Sequence, residues 1–227
     1  GPQDLDTMAT PEVDRFMWEI MQGNFQMIAF MQRLLGYFIT GETSERSFFV
    51  WHGLGSNGKS ALSKVLQTIL QQFHVMTPKN VMVKSGSIRN ARNQDRQLIA
   101  LINARIGMVK QTEVDYSLNR DIIKTLVRDY RHIIISRTDF TFVSQIKLVL
   151  QTNHLPTIHD DLAMTDRMKV IPFNAHFTVA GDGPGEIKID KEFIQNLQTI
   201  YLDQFFLWIL RGAIKWFHTH DLQIPQQ

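Results

Sequence analysis

The stretch from Phe48 to Ser60 reads FFVWHGLGSNGKS. A run of bulky apolar residues breaks into three glycines, an asparagine, a lysine and a serine. Apolar residues then return at helical spacing as Ala61, Leu62, Val65, Leu66, Ile69, Leu70 and Phe73. The first run suits a strand buried on both faces; the last suits one face of a helix. Gly53-Leu-Gly-Ser-Asn-Gly58-Lys59-Ser60 lies between them and fits G-x-x-x-x-G-K-[ST]. Glycines let the backbone wrap closely enough for successive N–H groups to point at phosphate oxygens, and the helix N-terminus adds a favourable dipole. The pattern predicts a nucleoside-triphosphate site lined by Gly53, Gly55, Ser56, Asn57, Gly58, Lys59, Ser60 and Ala61. Lys59 would reach the β- and γ-phosphates and Ser60 would ligate Mg²⁺. The alternative is a glycine-rich turn with an exposed lysine.

Around this motif the pattern alternates. Residues 11–39 carry apolar residues at helical spacing, interrupted by Gly23-Asn24, which predicts two helices. Further strands are expected at Ile106 to Val109, His132 to Ser136, Lys147 to Gln151 and Lys169 to Phe173, with a helix at about 118–130 and a helical pattern over about 190–219. Strands alternating with helices predict an α/β fold with a central, mostly parallel sheet. With 227 residues, 44% of them hydrophobic, the chain is long enough for one sizeable core. The expected division is a cleavage remnant and linker (1–10), an N-terminal helical segment (11–46), a phosphate-loop core (47–178), and a glycine loop with a C-terminal helical segment (179–227). Gly1 and Pro2 read as a protease scar on a piece of something longer.

A net charge of +2 gives no global basic field, so any nucleic-acid contact must come from local clustering. The absence of cysteine excludes a disulfide framework and thiolate metal sites. The most apolar stretch, Phe205 to Phe217, contains Arg211 and Lys215 and is too short to span a bilayer. No membrane partner is expected.

A phosphate loop works with an acid at the end of a neighbouring strand, which holds the metal through water and polarises the attacking water. IGMVKQTEVD offers Glu113 first and Asp115 second, each of which could equally be a solvated loop acid.

LLGYFITG before the strand, GLGSNGKS in the loop, LNRDIIKTL after the acid, KLVLQTNHLP and DRMKVIPFNAHF together resemble the superfamily 3 helicases, in particular the poxvirus-type primase-helicases of large DNA viruses, asfarvirus-like ones among them, and their phage and plasmid kin. The similarity runs from about residue 14 to 225. It implies an AAA+-like P-loop core that hydrolyses ATP with Mg²⁺, translocates on single-stranded DNA at a forked duplex, and assembles as a hexamer. It also implies a primase domain elsewhere in the full-length chain and work at cytoplasmic replication sites of an infected host cell. Position by position, Asn153 in QTNHLP falls at the family's sensor, a polar side chain that contacts the γ-phosphate or the attacking water. Arg167 in TDRMKVIPF falls where the family supplies an arginine finger from the neighbouring subunit; Lys169 is a second candidate. The bland alternatives are a turn-forming Asn153 and an Arg167 paired with Asp166. Many relatives have two acids near Glu113, where this chain has Gln111-Thr112-Glu113, and a TGGD-like turn where this chain reads VRDY.

Between Lys79 and Lys110 the chain carries Lys79, Lys84, Arg89, Arg92, Arg96, Arg105 and Lys110 against the single acid Asp95, a stretch able to bind phosphates without reading bases or simply to form a solvated face. HIIISRTDFTFVSQ reads as strand, turn, strand, and in the family a hairpin just before the sensor strand grips DNA. Arg137 is the leading hairpin contact, with His132, Lys147, Arg89 and Arg92 as further candidates. Two other classes stay open: a P-loop enzyme that is not a helicase, such as a small-molecule kinase, and a ring-forming, nucleotide-binding DNA scaffold with weak hydrolysis.

Overall fold

The computed structural model describes residues 5, 7–84, 98–111, 113–128, 132–135, 140–158 and 161–225. The chain divides into two compact units, each discontinuous in sequence. One comprises Gly41–Leu54 and Gln72–Pro172, the other Gly1–Thr40, Gly55–Gln71 and Phe173–Gln227.

The first is a sheet unit. Strands β1 (Phe48–His52), β2 (His74–Met76), β3 (Ile106–Gln111), β6 (Lys147–Thr152) and β7 (Met168–Pro172) form a five-stranded sheet in the order β2-β3-β6-β1-β7. Every pairing in it is parallel. The continuous apolar runs have the physical cause expected of them: Phe48, Phe49, Val50 and Trp51 are fully buried, as are Leu148, Val149 and Leu150. Helix α4 (Arg120–Leu126) contributes Ile122, Ile123 and Leu126 to a core shared with Phe48, Val50, Val109, Leu148 and Leu150. Burying one such side chain is worth about 1.5–3 kcal/mol, so this cluster dominates the unit's stability. Strands β4 (His132–Ile135) and β5 (Phe140–Val143) pair antiparallel, with His132 opposite Val143 and Ile135 opposite Phe140. Helix α5 (Leu162–Arg167) runs directly into β7; Asp161 caps it by accepting the Met164 N–H at 3.1 Å.

The second is a helical unit. Helices α1 (Pro11–Ile20) and α2 (Phe25–Ile39) are separated by the Gly23-Asn24 break, and the Asn24 side chain caps α2 by accepting from Met27 N at 3.1 Å. Helix α3 (Lys59–Leu70) follows the glycine loop. Helix α7 (Leu202–Thr219) lies against α2 with almost no gap: a Cβ on Gly212 would sit 1.7 Å from the Gln32 carbonyl oxygen, and one on Gly36 2.0 Å from the Ala213 nitrogen. Glycine is required at both positions by this approach. Tyr37 and Trp216 pack along the same seam, tilted 45° with 4.8 Å between ring centroids. Strands β8 (His176–Thr178) and β9 (Glu186–Lys188) form a small parallel pair in this unit.

Two expectations change. The helical pattern over 190–219 is two helices, α6 (Lys191–Leu197) and α7, because the chain turns at residues 198–201, where Asn196 O accepts from both Thr199 N and Tyr201 N. The short strands β2, β8 and β9, three residues each, carry too little pattern to be read from sequence. Among the described residues no helix is long and apolar enough to cross a membrane.

Candidate nucleotide site

The phosphate motif leaves the sheet unit at the carboxyl end of β1, where Gly53 N donates to Thr152 O at 3.2 Å. In the helical unit the backbone then takes positive φ at Gly55 (127°), Ser56 (44°) and Gly58 (88°). Such a conformation turns successive N–H groups toward one concave side, the arrangement that binds anions ahead of a helix. Gly58 is doubly constrained, since a Cβ there would also lie 2.4 Å from Ile20 Cγ2.

Three hydrogen bonds within the same unit hold the loop. Phe177 N donates to Ser56 O at 2.7 Å, Asn57 Nδ2 donates to Phe173 O at 3.0 Å, and Lys59 Nζ donates to Asn57 Oδ1 at 3.1 Å. Asn57 is 3% exposed and Lys59 only 7%, so the glycine-rich turn with an exposed lysine is excluded. Desolvation pushes the Lys59 ammonium down to about 8, and a buried ammonium of this kind gains from an anionic partner. Ser60, one residue on, is exposed at the first turn of α3.

In the sheet unit, register brings the other predicted residues to one edge. His52, Thr152 and Gln111 are neighbours across β1, β6 and β3, so Glu113 and Asn153 both follow the carboxyl ends of adjacent parallel strands. This is the edge at which open parallel sheets place ligands. Glu113 is 67% exposed and ion-paired to Lys79, which holds its carboxyl below the usual range; a further weak bond of 3.5 Å runs from Glu113 N to Gln111 Oε1. Asp115 is exposed, with φ of 56°. Asn153 is half-buried and makes no hydrogen bond to the described residues, while its neighbours are pinned: Thr152 Oγ1 lies 2.7 Å from His154 O and accepts from His154 N at 3.1 Å.

Arg167 is not brought to this edge. It ends α5 immediately before Met168, which pairs with Phe48 at the amino end of β1. Five residues at about 3.3 Å each separate the two edges. Its Nη1 donates to Ala163 O at 2.6 Å, and its Nε is buried without a partner among the described residues. It is not paired with Asp166. Lys169 Nζ donates to the Asp166 carbonyl at 2.6 Å.

The DNA candidates divide. Arg89, Arg92 and Arg137 lie outside the described residues, as do Asp95 and Arg96. The hairpin containing His132 forms as expected, and Phe142 is partly buried against the core. Lys147 opens β6 at the amino edge, is 1% exposed, and donates to Gln145 O at 3.1 Å; its ammonium, held well below its ordinary range first by burial and then by Arg105, is not offered to a strand in this conformation. Lys84 and Lys110 are exposed, and Arg105 lies over the Phe73 ring at 5.7 Å.

Sequence reasoning missed Tyr116, whose hydroxyl reaches both sides of Asn153, and the Lys79–Glu113 pair. Neither carries a local signature, because each partner is more than thirty positions away in the chain. It also missed that Phe173 and Phe177 support the phosphate loop through their backbones. Among the described residues no group of three or more His, Asp or Glu side chains could hold a metal alone. The serine hydroxyl fits a P-loop Mg²⁺, which takes most of its ligands from phosphate and water.

The fold has counterparts. No family profile matches the chain. It is similar to "Putative helicase L207/L206" of Acanthamoeba polyphaga mimivirus, 26% identical over 190 residues, covering 82% of this chain and 19% of that protein. It is also similar to "Putative helicase 184R" of Invertebrate iridescent virus 6, 25% identical over 237 residues, covering 95% and 23%. The chain thus spans about a fifth of each viral relative. Among solved structures, the apo C-terminal region of NrS-1 shares the fold with TM-scores of 0.61 and 0.62 at 16–17% identity, over 89% of this chain and 45–47% of that one. The α/β architecture, a central parallel sheet with a glycine loop between strand and helix, is that of a P-loop NTPase.

Proposed function

We propose that this chain is the ATPase part of a viral replicative DNA helicase, of the superfamily 3, poxvirus-type primase-helicase kind. The observation that carries the reading is Lys59: a lysine buried at the end of a positive-φ glycine loop between a parallel strand and a helix, with its charge disfavoured by burial. The similarity to two viral proteins with helicase in their names supports the choice of a helicase over other P-loop enzymes.

In this mechanism the loop amides and Lys59 bind the triphosphate of ATP. Ser60 would hold Mg²⁺, which would supply charge neutralisation at the phosphate oxygens. Glu113 polarises the attacking water, with Asp115 a second acid, and Asn153 hydrogen-bonds the γ-phosphate or that water. Arg167 acts on a neighbouring copy in a hexameric ring, a role its place at the far edge of its own sheet supports. The ring translocates on single-stranded DNA and opens a forked duplex, with the exposed Lys84 and Lys110 and the β4–β5 hairpin as DNA-facing elements. A primase domain lies elsewhere in the full-length protein, and the work takes place at cytoplasmic replication sites of the infected cell. Helical segments 11–46 and 179–227 flank the core 47–178.

A second reading rests on Glu113, exposed and tied to Lys79: a nucleotide-binding DNA scaffold that hydrolyses poorly. ATP turnover with and without single-stranded DNA separates the two, since DNA stimulation is the helicase outcome and binding without turnover the scaffold outcome. Mass in solution with a nonhydrolysable ATP analogue and an oligonucleotide tests the ring. Mixing Arg167→Ala with Glu113→Gln subunits should restore partial activity if the finger acts in trans.

A further inference from the structure

The Asn153 turn is held by a residue with no place in the mechanism above. Tyr116 is 6% exposed, and its hydroxyl lies 3.1 Å from Thr152 Oγ1 and 2.7 Å from His154 O. The phenol shares its single proton between these acceptors, one on either side of Asn153. Burial raises the phenol above its ordinary range, so it remains a donor at working pH. Thr152 Oγ1 closes the ring by donating to His154 O and accepting from His154 N. The backbone of Asn153 is thereby fixed while its amide makes no hydrogen bond to the described residues.

A clamp needs a fixed base, and Tyr116 has one. Thr157 N donates to Tyr116 O at 3.2 Å, and Ser117 bridges Thr157. On the opposite side, Lys84 N donates to Ser117 O at 2.9 Å and Asn119 N to Met82 O at 2.8 Å. The segment after Glu113 is thus stitched both to the turn carrying Asn153 and to residues 82–84. Packing alone needs no hydroxyl here, because phenylalanine would fill the same space in the core.

From this geometry we infer that Tyr116 is the positioning residue of the Asn153 turn: its hydroxyl holds the amide where a γ-phosphate is recognised, so it governs discrimination between nucleoside tri- and diphosphate. The inference rests on the role proposed for Asn153. The test measures binding of ADP and of a nonhydrolysable ATP analogue to the whole chain and to the variants Tyr116→Phe, Asn153→Ala and the double variant. Tyr116→Phe should leave ADP affinity unchanged and weaken the analogue about fivefold, the worth of one buried hydrogen bond. Asn153→Ala should weaken it at least as much, and the double variant no further, because the tyrosine acts through the asparagine. Thr152→Val, which removes the other half of the ring at nearly constant volume, should reproduce the Tyr116→Phe loss and covers the case in which Tyr116→Phe does not fold. Unchanged analogue binding in Tyr116→Phe and Thr152→Val, equal loss of ADP and analogue, or additive losses in the double variant would overturn the inference while leaving the ATPase reading in place. If Asn153→Ala does not alter the ratio of the two affinities, the role of the turn falls and this inference with it. Failure of the chain to bind either nucleotide would instead sink the proposed function.

Discussion

The phosphate loop and the acid-bearing edge of the sheet are held in opposite ways. Asn57 and Lys59 are buried, joined to each other, and anchored to the backbone that follows β7. Glu113 lies in solvent, held by a surface ion pair with Lys79 and a weak backbone bond to Gln111. A buried, hydrogen-bonded ammonium costs free energy to desolvate and is held in one geometry, whereas a solvated pair contributes little and is easily exchanged. On the proposed function the difference separates binding from hydrolysis: the loop that would recognise phosphate is preformed, and the acid would have to leave one partner before it could serve another.

The most severe way to break this contrast is Lys59→Ala. Turnover of ATP should fall by about a thousandfold or more, since in the proposed mechanism the lysine contacts the phosphates on which charge develops. The fold should survive, because the change also removes a desolvated charge; circular dichroism and a melting curve check this beside the ATPase rate. Retained turnover would remove the phosphate site. Next in size is Asn57→Asp. The carboxylate would keep accepting from Lys59, lose the donor to Phe173 O, and repel the incoming phosphates. ATP affinity should fall about ten- to a hundredfold, read by titration calorimetry, with Asn57→Ser falling less.

The pH dependence follows from the same burial. With the folded ammonium near 8 instead of its ordinary 10.5, Lys59 is mostly charged at pH 7 and mostly neutral at pH 9. Phosphate binding favours the charged form, so ATP affinity should drop about tenfold between pH 7 and pH 9, with a proton taken up on binding. Calorimetry in two buffers of different ionisation enthalpy measures that proton directly. For the unliganded fold the sign is opposite: the unfolded chain binds more protons between pH 8 and 10.5, so this lysine's contribution to stability rises with pH across that window.

How far all this was legible in the sequence depended on how local each signal is. The phosphate loop was legible because strand, glycines and helix follow one another within about twenty residues, and each has its own period or turn chemistry. The two N-terminal helices were legible for the same reason, with Gly23-Asn24 marking the break. The alternating strands gave the parallel sheet, and its register then placed Glu113 and Asn153 on one edge. Lys147 shows the limit. Its charge read as a surface feature, yet the first residue of a central strand is buried whatever its type, and strand order is a property of the whole chain. Tyr116 was invisible for a related reason, since a tyrosine in a loop gains meaning only when folding carries it to a strand end 36 positions away.

The mildest perturbation asks whether the acid is restrained or merely decorated by its partner. Lys79→Ala removes the cation that holds the Glu113 carboxyl low, so the carboxyl should move back up toward its ordinary range. If Glu113 polarises the attacking water, the acid limb of the pH–rate profile moves to higher pH with it, because protonation now occurs earlier on acidification. At neutral pH the carboxylate stays ionised in both proteins, and the variant differs only in being free of the lysine. An exposed, solvent-screened pair contributes little, so the basal rate should rise no more than about fivefold. Rate and limb should shift together. A higher rate with an unmoved limb would mean that Lys79 restrains something other than Glu113. A moved limb with an unchanged rate would mean that the pair forms but does not hold the acid back. Were neither to change in a protein that still binds ATP, the exposed acid would be no part of the chemistry, and the scaffold reading would gain what the helicase reading lost.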